Sequence, residues 1–414
     1  MPTSQTKYDL VISSDRVIDP ASGLDGPATI AVTGGRIAAV AEQLPPHHAA
    51  RTVDATGMIV CPGLIDMHVH VYEWVTNFGL PPDDAGVHSG ATTIIDQGSA
   101  GPWTVGGFKA YIADPARTDV RCFVSANVAG ALMGGMEGPV LHNPQMMRPA
   151  AIATAAADYP GLVKGIKSHG ESGGFSLWGT ELVEMAVEAG TLAGLPLYIH
   201  TGELFPVDEA NRPEPNILME RVLPLLRPGD TVAHVYSCMP DGVMGPGAKV
   251  PEIVFDAVAR GIHFDIGYGV NFSYRIARAM MAAGVLPNTI GSDVHADFNG
   301  YHDDSRLDYS LCGAMTRLHA LGMPLQDVIR RVTLNPAKII GEESEIGSLA
   351  AGSRADITVL DPIAGPWTLA DAEGEVLTVD ERLVPALVIR EGTEIIPNRR
   401  LLRDIWDAKT PVAA

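Results

Sequence analysis

Cysteine is scarce in this chain. The four residues in 414 are Cys61, Cys122, Cys238 and Cys312, far apart and set in apolar segments. That spacing suits reduced thiols in the cytoplasm better than a disulfide framework. Cys238 follows a candidate site strand, but a small buried hydrophobe is its expected role. Positive charge is also short: 29 Lys and Arg face 49 Asp and Glu, for a formal charge of −20. A phosphate backbone attracts basic surfaces, so this balance argues against a nucleic-acid partner. Long apolar runs are missing too. No stretch approaches the roughly 20 residues needed to cross a bilayer. The opening Met1-Pro2-Thr3-Ser4-Gln5-Thr6-Lys7 lacks an apolar core of the signal-peptide kind. The expectation is a cytoplasmic protein with no membrane partner.

What is present describes a globular protein with a large core: 46% hydrophobic residues and a mean hydropathy of +0.13. A chain of 414 residues suits a large barrel with a smaller companion domain. The first sixty residues read as short strands at 8–12, 28–32 and 36–40, with Thr33-Gly34-Gly35 as a hairpin turn. Similar β runs return at 355–360 and 384–389. Between them the pattern becomes strand–helix alternation, the mark of a parallel α/β architecture. Eight candidate strands can be counted there: 64–71, 91–98, 120–128, 162–168, 196–201, 231–237, 263–267 and 289–294. Helical spacing fills the gaps, for example at 177–192 and 251–260. The predicted fold is α/β: a (β/α)8 TIM barrel over 61–345, with a small discontinuous β-sandwich domain from 1–60 and 346–414. A Gly-, Met- and Pro-rich segment, 130–147, has no periodicity and reads as a long βα loop at the barrel mouth.

Polar residues cluster at the ends of those strands. His68 and His70 close the first and are two apart, so on a strand both imidazoles face one side. Such a pair suits a divalent metal, although two hydrogen-bonded core histidines would read the same way. Lys167 lies near the end of the fourth strand, His200 ends the fifth, His234 lies on the sixth and Asp293 ends the eighth. In a barrel all these ends converge on one mouth, where the chemistry sits. Six such groups at one end are far more specific than the first pair.

On these residues the chain resembles the amidohydrolase superfamily. The matching features are Pro62-Gly63-Leu64-Ile65-Asp66-Met67-His68-Val69-His70, Gly165-Ile166-Lys167, Ile199-His200, Ala233-His234 and Gly291-Ser292-Asp293. Asn335-Pro336-Ala337-Lys338 followed by Ile346-Gly347-Ser348-Leu349 and Ser353-Arg354-Ala355-Asp356 resembles that superfamily's exit into its β domain. The order and spacing are similar to the dihydroorotase-like branch, especially its deacetylase or acyl-ester hydrolase group. The resemblance implies two divalent metals, usually zinc. His68, His70 and Asp293 would hold one ion, His200 and His234 the other, with Lys167 bridging both as a carbamate (N6-carboxylysine). It also implies a shared hydroxide that attacks an amide or ester carbonyl, with Asp293 as general base and then acid. Metal identity stays open, because His and carboxylate sites accept several divalent ions. A small-molecule substrate is implied, and homo-oligomerisation is compatible with the resemblance. Lys164 competes for the bridging role, but its odd spacing from Lys167 points it to the opposite strand face.

Other residues leave alternatives open. His200-Thr201-Gly202-Glu203 has the His-x-x-Glu spacing of mononuclear nucleobase deaminases, where the glutamate protonates the ring; otherwise Glu203 is a pocket carboxylate orienting a histidine. The deacetylase-like group leads one to expect an arginine soon after the lysine, yet Ser168, His169 and Gly170 stand there. That departure weighs against a carboxylate-bearing substrate and leaves His169 as a substrate contact or a loop-packing residue. Tyr236, Tyr268 and Asn271 are candidate pocket walls, and His295 a candidate substrate contact or support for Asp293. His302, Asp303 and Asp304 read as a solvated turn, and His47 and His48 as part of a loop. A non-catalytic scaffold on the same fold is the third reading; such proteins typically lack several ligands, whereas this chain has the full set.

Overall fold

The computed structural model describes residues 6–45, 47–132, 141–204, 207–214, 216–244, 249–296 and 310–402. The expected turn at His302, Asp303 and Asp304 lies outside them, as does the middle of the 130–147 loop.

Strands β1 (Thr6–Asp19), β2 (Leu24–Thr33) and β3 (Arg36–Ala41) form an antiparallel ladder. Gly34 and Gly35, at φ +56° and +72°, make the tight turn between β2 and β3 that a side chain would strain. His47 and His48 fall not in a loop but on β4 (His47–Asp54), which runs parallel to β1. Strand β5 (Ile59–Pro62) then pairs with β1 and leads into the middle region.

The middle region supplies β6 (Leu64–Val69), β7 (Ala91–Gln97), β8 (Asp119–Ser125), β9 (Val163–His169), β10 (Leu197–His200), β11 (Thr231–Val232) and β12 (His263–Phe264). Each is parallel to its neighbour in one seven-stranded curled sheet. Every residue of β6 and β7 is buried, polar ones such as Asp66, His68 and Asp96 included, because both faces of the sheet are covered. The eighth predicted strand is not a regular ladder. Instead, 289–294 links the two edges of the sheet: Thr289 bridges Asp265 after β12, and Val294 bridges Val69 on β6. Backbone bonds from Tyr268 and Gly269 to Gly291 and Ser292, and from Asp293 to His68, hold this segment between them. The helix expected over 177–192 is split, Ser172–Trp178 and Glu181–Ala193, with a positive-φ Gly179 between the pieces.

Strands β13 (Ile357–Ala370), β14 (Val376–Arg390) and β15 (Thr393–Ile395) complete the terminal β region. Because β13 pairs with β5, both chain ends merge into one eight-stranded sheet, ordered β15-β14-β13-β5-β1-β2-β3 with β4 beside β1. A second, facing sheet is not part of that pairing. Alternating residues such as Leu10, Ile12, Ile30, Val60, Ile357 and Val359 bury one shared core. Arg354 ties the two regions together through ion pairs to Asp119 and Asp356, each 2.6 Å.

Candidate functional site

The ends of β6, β9 and β10 and the residues after β11 and β12 carry the polar cluster. His68 Nε2 lies 3.0 Å from Asp293 Oδ1 and 3.3 Å from His70 Nε2, and His70 Nε2 lies 3.5 Å from the same oxygen. These three side chains can direct one ligand atom each to a common point, all within 4.8 Å of one another. His234 approaches His68 (ring centroids 5.3 Å) and His200 (4.3 Å). His169 continues the row at 5.5 Å from His200. Lys167, fully buried, sets its Nζ 4.7 Å over the Tyr198 ring. The rival Lys164 is engaged elsewhere, in an ion pair with Glu342 at 2.8 Å.

Hydrogen bonds fix which imidazole nitrogen is free. The Tyr198 hydroxyl donates its one proton to Asp265 Oδ1 (2.8 Å), so it accepts from His68 Nδ1 (3.1 Å). The lone pair of His68 is therefore on Nε2, facing Asp293. His234 Nδ1 donates to the Gly267 carbonyl at 2.9 Å, leaving its buried Nε2 as the lone-pair nitrogen, with no hydrogen-bond partner among the described residues. His70 Nδ1 meets Ser99 Oγ at 3.1 Å. Anchoring one ring nitrogen to aim the other is how ligand histidines are oriented. Lys167 Nζ is likewise buried without a hydrogen-bond partner among the described residues. Two orphaned polar atoms in one buried cluster need explaining. They fit a bound cationic centre with an anionic group at Lys167.

Electrostatics agree with neutral ligands and an ionised aspartate. Burial holds His68 and His200 well below the usual histidine range and His234 down to about 4. It also brings the Lys167 ammonium down to about 8, against the pull of Asp293, Asp265 and Asp96. Burial alone would raise Asp293, but the hydrogen bond with His70 and the charges of nearby histidines bring it down to about 2. His234 and Asp293 adopt φ of +63° and +52°. Such values are uncommon without glycine and mark strain at a functional site.

The weaker candidates separate. His169 is in the row of rings. His295 lies 6.2 Å from His70 between ring centroids, with Nδ1 2.6 Å from the Ala296 carbonyl. Asn271 is buried with its Oδ1 unpartnered among the described residues. Tyr236 donates to the Val285 carbonyl and packs near Phe272, and the Arg317 guanidinium lies over the Tyr268 ring. Glu203 is ion-paired at 2.5 Å with Arg212, which also holds Asp241 at 3.0 Å. The sequence reading overlooked Tyr198, Asp265, Asp96 and Asp66. Tyr198 and Asp66 stand two residues before His200 and His68, a period-2 signal that could have found them. Asp96 and Asp265 had no comparable cue.

Relatives place this arrangement. A model of the amidohydrolase family matches residues 270–395. A deacetylase of Agrobacterium fabrum is 29% identical over 374 residues, covering 89% of this chain and 86% of its own. A crystal structure of a dihydroorotase aligns with TM-score 0.81 at 26% identity, covering 95% of this chain and 99% of that one. The chain belongs to the amidohydrolase superfamily. It is a hydrolase. A crystal structure of an adenine deaminase is also similar, with TM-score 0.79, 26% identity, and coverage of 94% and 100%.

Proposed function

We propose that this hydrolase cleaves an amide or ester bond, N-acyl, acyl-ester or within a cyclic amide or imide, at a binuclear metal centre in the mouth of a closed (β/α)8 barrel. The observation that carries the reading is the convergence of His68, His70 and Asp293 beside the unpartnered Lys167 Nζ and His234 Nε2. His68, His70 and Asp293 would hold one ion, His200 and His234 the other, with zinc the usual occupant of such donors. Bound there, two divalent ions supply positive charge for the carbonyl oxygen and acidify a water molecule.

The chain's own groups do the rest. A lysine amine that titrates near 8 is partly neutral at neutral pH. The neutral amine can add to CO2, losing a proton and forming a carbamate, which would give Lys167 the anionic oxygens that an ammonium lacks. Asp293 Oδ1 faces the two histidines. Its Oδ2 borders Gly269, where a Cβ would lie only 2.6 Å away, so the missing side chain leaves that oxygen room. Asp293 takes the proton of the attacking water and returns it to the leaving nitrogen or oxygen. The deaminase alternative requires Glu203 as proton donor, and its ion pair with Arg212 disfavours that role.

Metal analysis combined with a screen of N-acyl amino acids, acyl esters, hydantoins and dihydropyrimidines tests the proposal. Two ions per chain and hydrolysis without ammonia release from a nucleobase are expected. Lys167→Ala should lose metal and activity, with short carboxylic acids restoring part of both. Unchanged metal content in that variant would refute the bridge.

A further inference from the structure

Asp265, just past the end of β12, is fully buried, and four donors from three separate segments meet on its carboxylate. Its Oδ1 accepts from the Gly267 N–H (2.6 Å), the Tyr198 hydroxyl (2.8 Å) and the Gly291 N–H (3.2 Å). Its Oδ2 accepts from the Thr289 hydroxyl (2.5 Å). Each donor on Oδ1 leads to a different candidate ligand. Tyr198 accepts from His68 Nδ1 (3.1 Å), and the Gly267 carbonyl accepts from His234 Nδ1 (2.9 Å). Gly291 stands two residues before Asp293, whose own N–H donates to the His68 carbonyl (2.7 Å). Missing side chains make the crossing possible. A Cβ on Gly291 would lie 2.9 Å from Asp265 Oδ1 and 2.5 Å from His68 Cβ, and one on Gly267 would lie 2.6 Å from His234 Nδ1. The segment 289–294 joins the sheet edges through single bridges, so a side-chain acceptor here stands in for ladder bonds.

We infer, resting on the metal-centre reading above, that Asp265 is one positioning residue shared by both ligand groups: it aims His68 through Tyr198, aims His234 through Gly267, and seats the segment carrying Asp293 through Gly291. A carboxylate suits this point because it brings acceptor sites and no hydrogen that would meet the three donors. Without it, two backbone N–H groups and a tyrosine hydroxyl are left buried and unpaired, and the surrounding chain must move to satisfy them. That movement reaches His68 and His234 together. The two routes differ in length. Gly267 is two residues on, a short turn that a serine hydroxyl also makes, whereas Tyr198 lies 67 residues away on β10 and is met only by the longer side chain.

Nitrogen-15 NMR of the full chain without metal reads the imidazole tautomers directly. Wild type should hold both His68 and His234 in the Nδ1–H form. Asp265→Ala should release both into tautomer mixtures, whereas Tyr198→Phe should release His68 alone. Asp265→Asn should keep both, because its carbonyl oxygen can serve the same three donors while its amide faces the Thr289 hydroxyl. Circular dichroism checks that each variant is folded. Where Asp265→Ala is not, Asp265→Ser replaces it and should release His68 while His234 stays fixed through Gly267. Cobalt(II) titration against a chelator supplies the second readout: Asp265→Ala or its replacement should weaken the ion held by His68 on the order of 10–100-fold, with Asp265→Asn close to wild type. In folded Asp265→Ala the second ion should weaken as well, and in Tyr198→Phe it should not. His68 still fixed as Nδ1–H in Asp265→Ser, His234 still fixed in folded Asp265→Ala, or both released in Asp265→Asn overturns the shared role. Wild type that binds no cobalt speaks against the metal-centre reading instead, and the tautomers of the metal-free chain then decide the role of Asp265.

Discussion

One hydroxyl proton sets the direction of a ligand histidine in this protein. Tyr198 gives that proton to Asp265, and this leaves its oxygen to receive His68 Nδ1–H. Tyr198→Phe keeps the ring under Lys167 but frees His68 to change tautomer. Metal affinity should fall on the order of 10–100-fold, measured by competition with a chromophoric chelator. An unchanged affinity would mean that packing alone orients His68. Legibility at this scale was uneven. His68, His70, Lys167, His200, His234 and Asp293 stood out because each lies on or near the end of a candidate strand. Asp265 was not, because its role depends on Tyr198 from another strand, 67 residues away.

Elements place these residues only where neighbouring backbones allow close approach. Gly98, at the end of β7 with φ +82°, is one such place: a Cβ there would sit 2.6 Å from Lys167 Cγ and 2.8 Å from its Cβ. Gly98→Ala should cost about 1–3 kcal/mol through backbone strain and the clash. Thermal melts of the metal-free protein read the stability loss, and metal analysis should show reduced loading because Lys167 is displaced. A variant with wild-type melting and full loading would contradict this packing. Short strands illustrate why the strand count was easier to read than the strands themselves. β11 and β12 have only two residues each, because the chain after each is bent to serve the site, with His234 and Gly267 both at positive φ. The final segment at 289–294 carries β-like composition but pairs through single bridges, since Asp293 must turn inward.

Across the whole molecule, the buried histidines couple stability to pH. His68, His169 and His200 are held well below their ordinary value near 6.5 and His234 down to about 4, all chiefly by burial. Between those limits the unfolded chain binds protons that the folded chain refuses, so stability rises with pH. These histidines should therefore withdraw stability from the metal-free protein as pH falls from 6.5 towards 4. Asp66, raised to about 7 by burial, and the raised Asp96, Asp265 and Asp356 act in the opposite sense, so the histidine share is read by substitution. Urea denaturation at a series of pH values, comparing wild type with His234→Asn, isolates the histidine contribution: the variant should show the shallower acid slope. Equal slopes would show that His234 does not contribute.

The amino-acid order by itself determined the parallel α/β alternation, the terminal β runs and the six polar strand ends, because apolar periodicity and residue type are local properties. Only the tertiary structure decided that both termini pair into one continuous sheet and that the Tyr236 hydroxyl is spent on the Val285 carbonyl. Those outcomes depend on contacts between segments distant in the chain, where burial, steric fit and hydrogen bonding select among options that local sequence leaves equal.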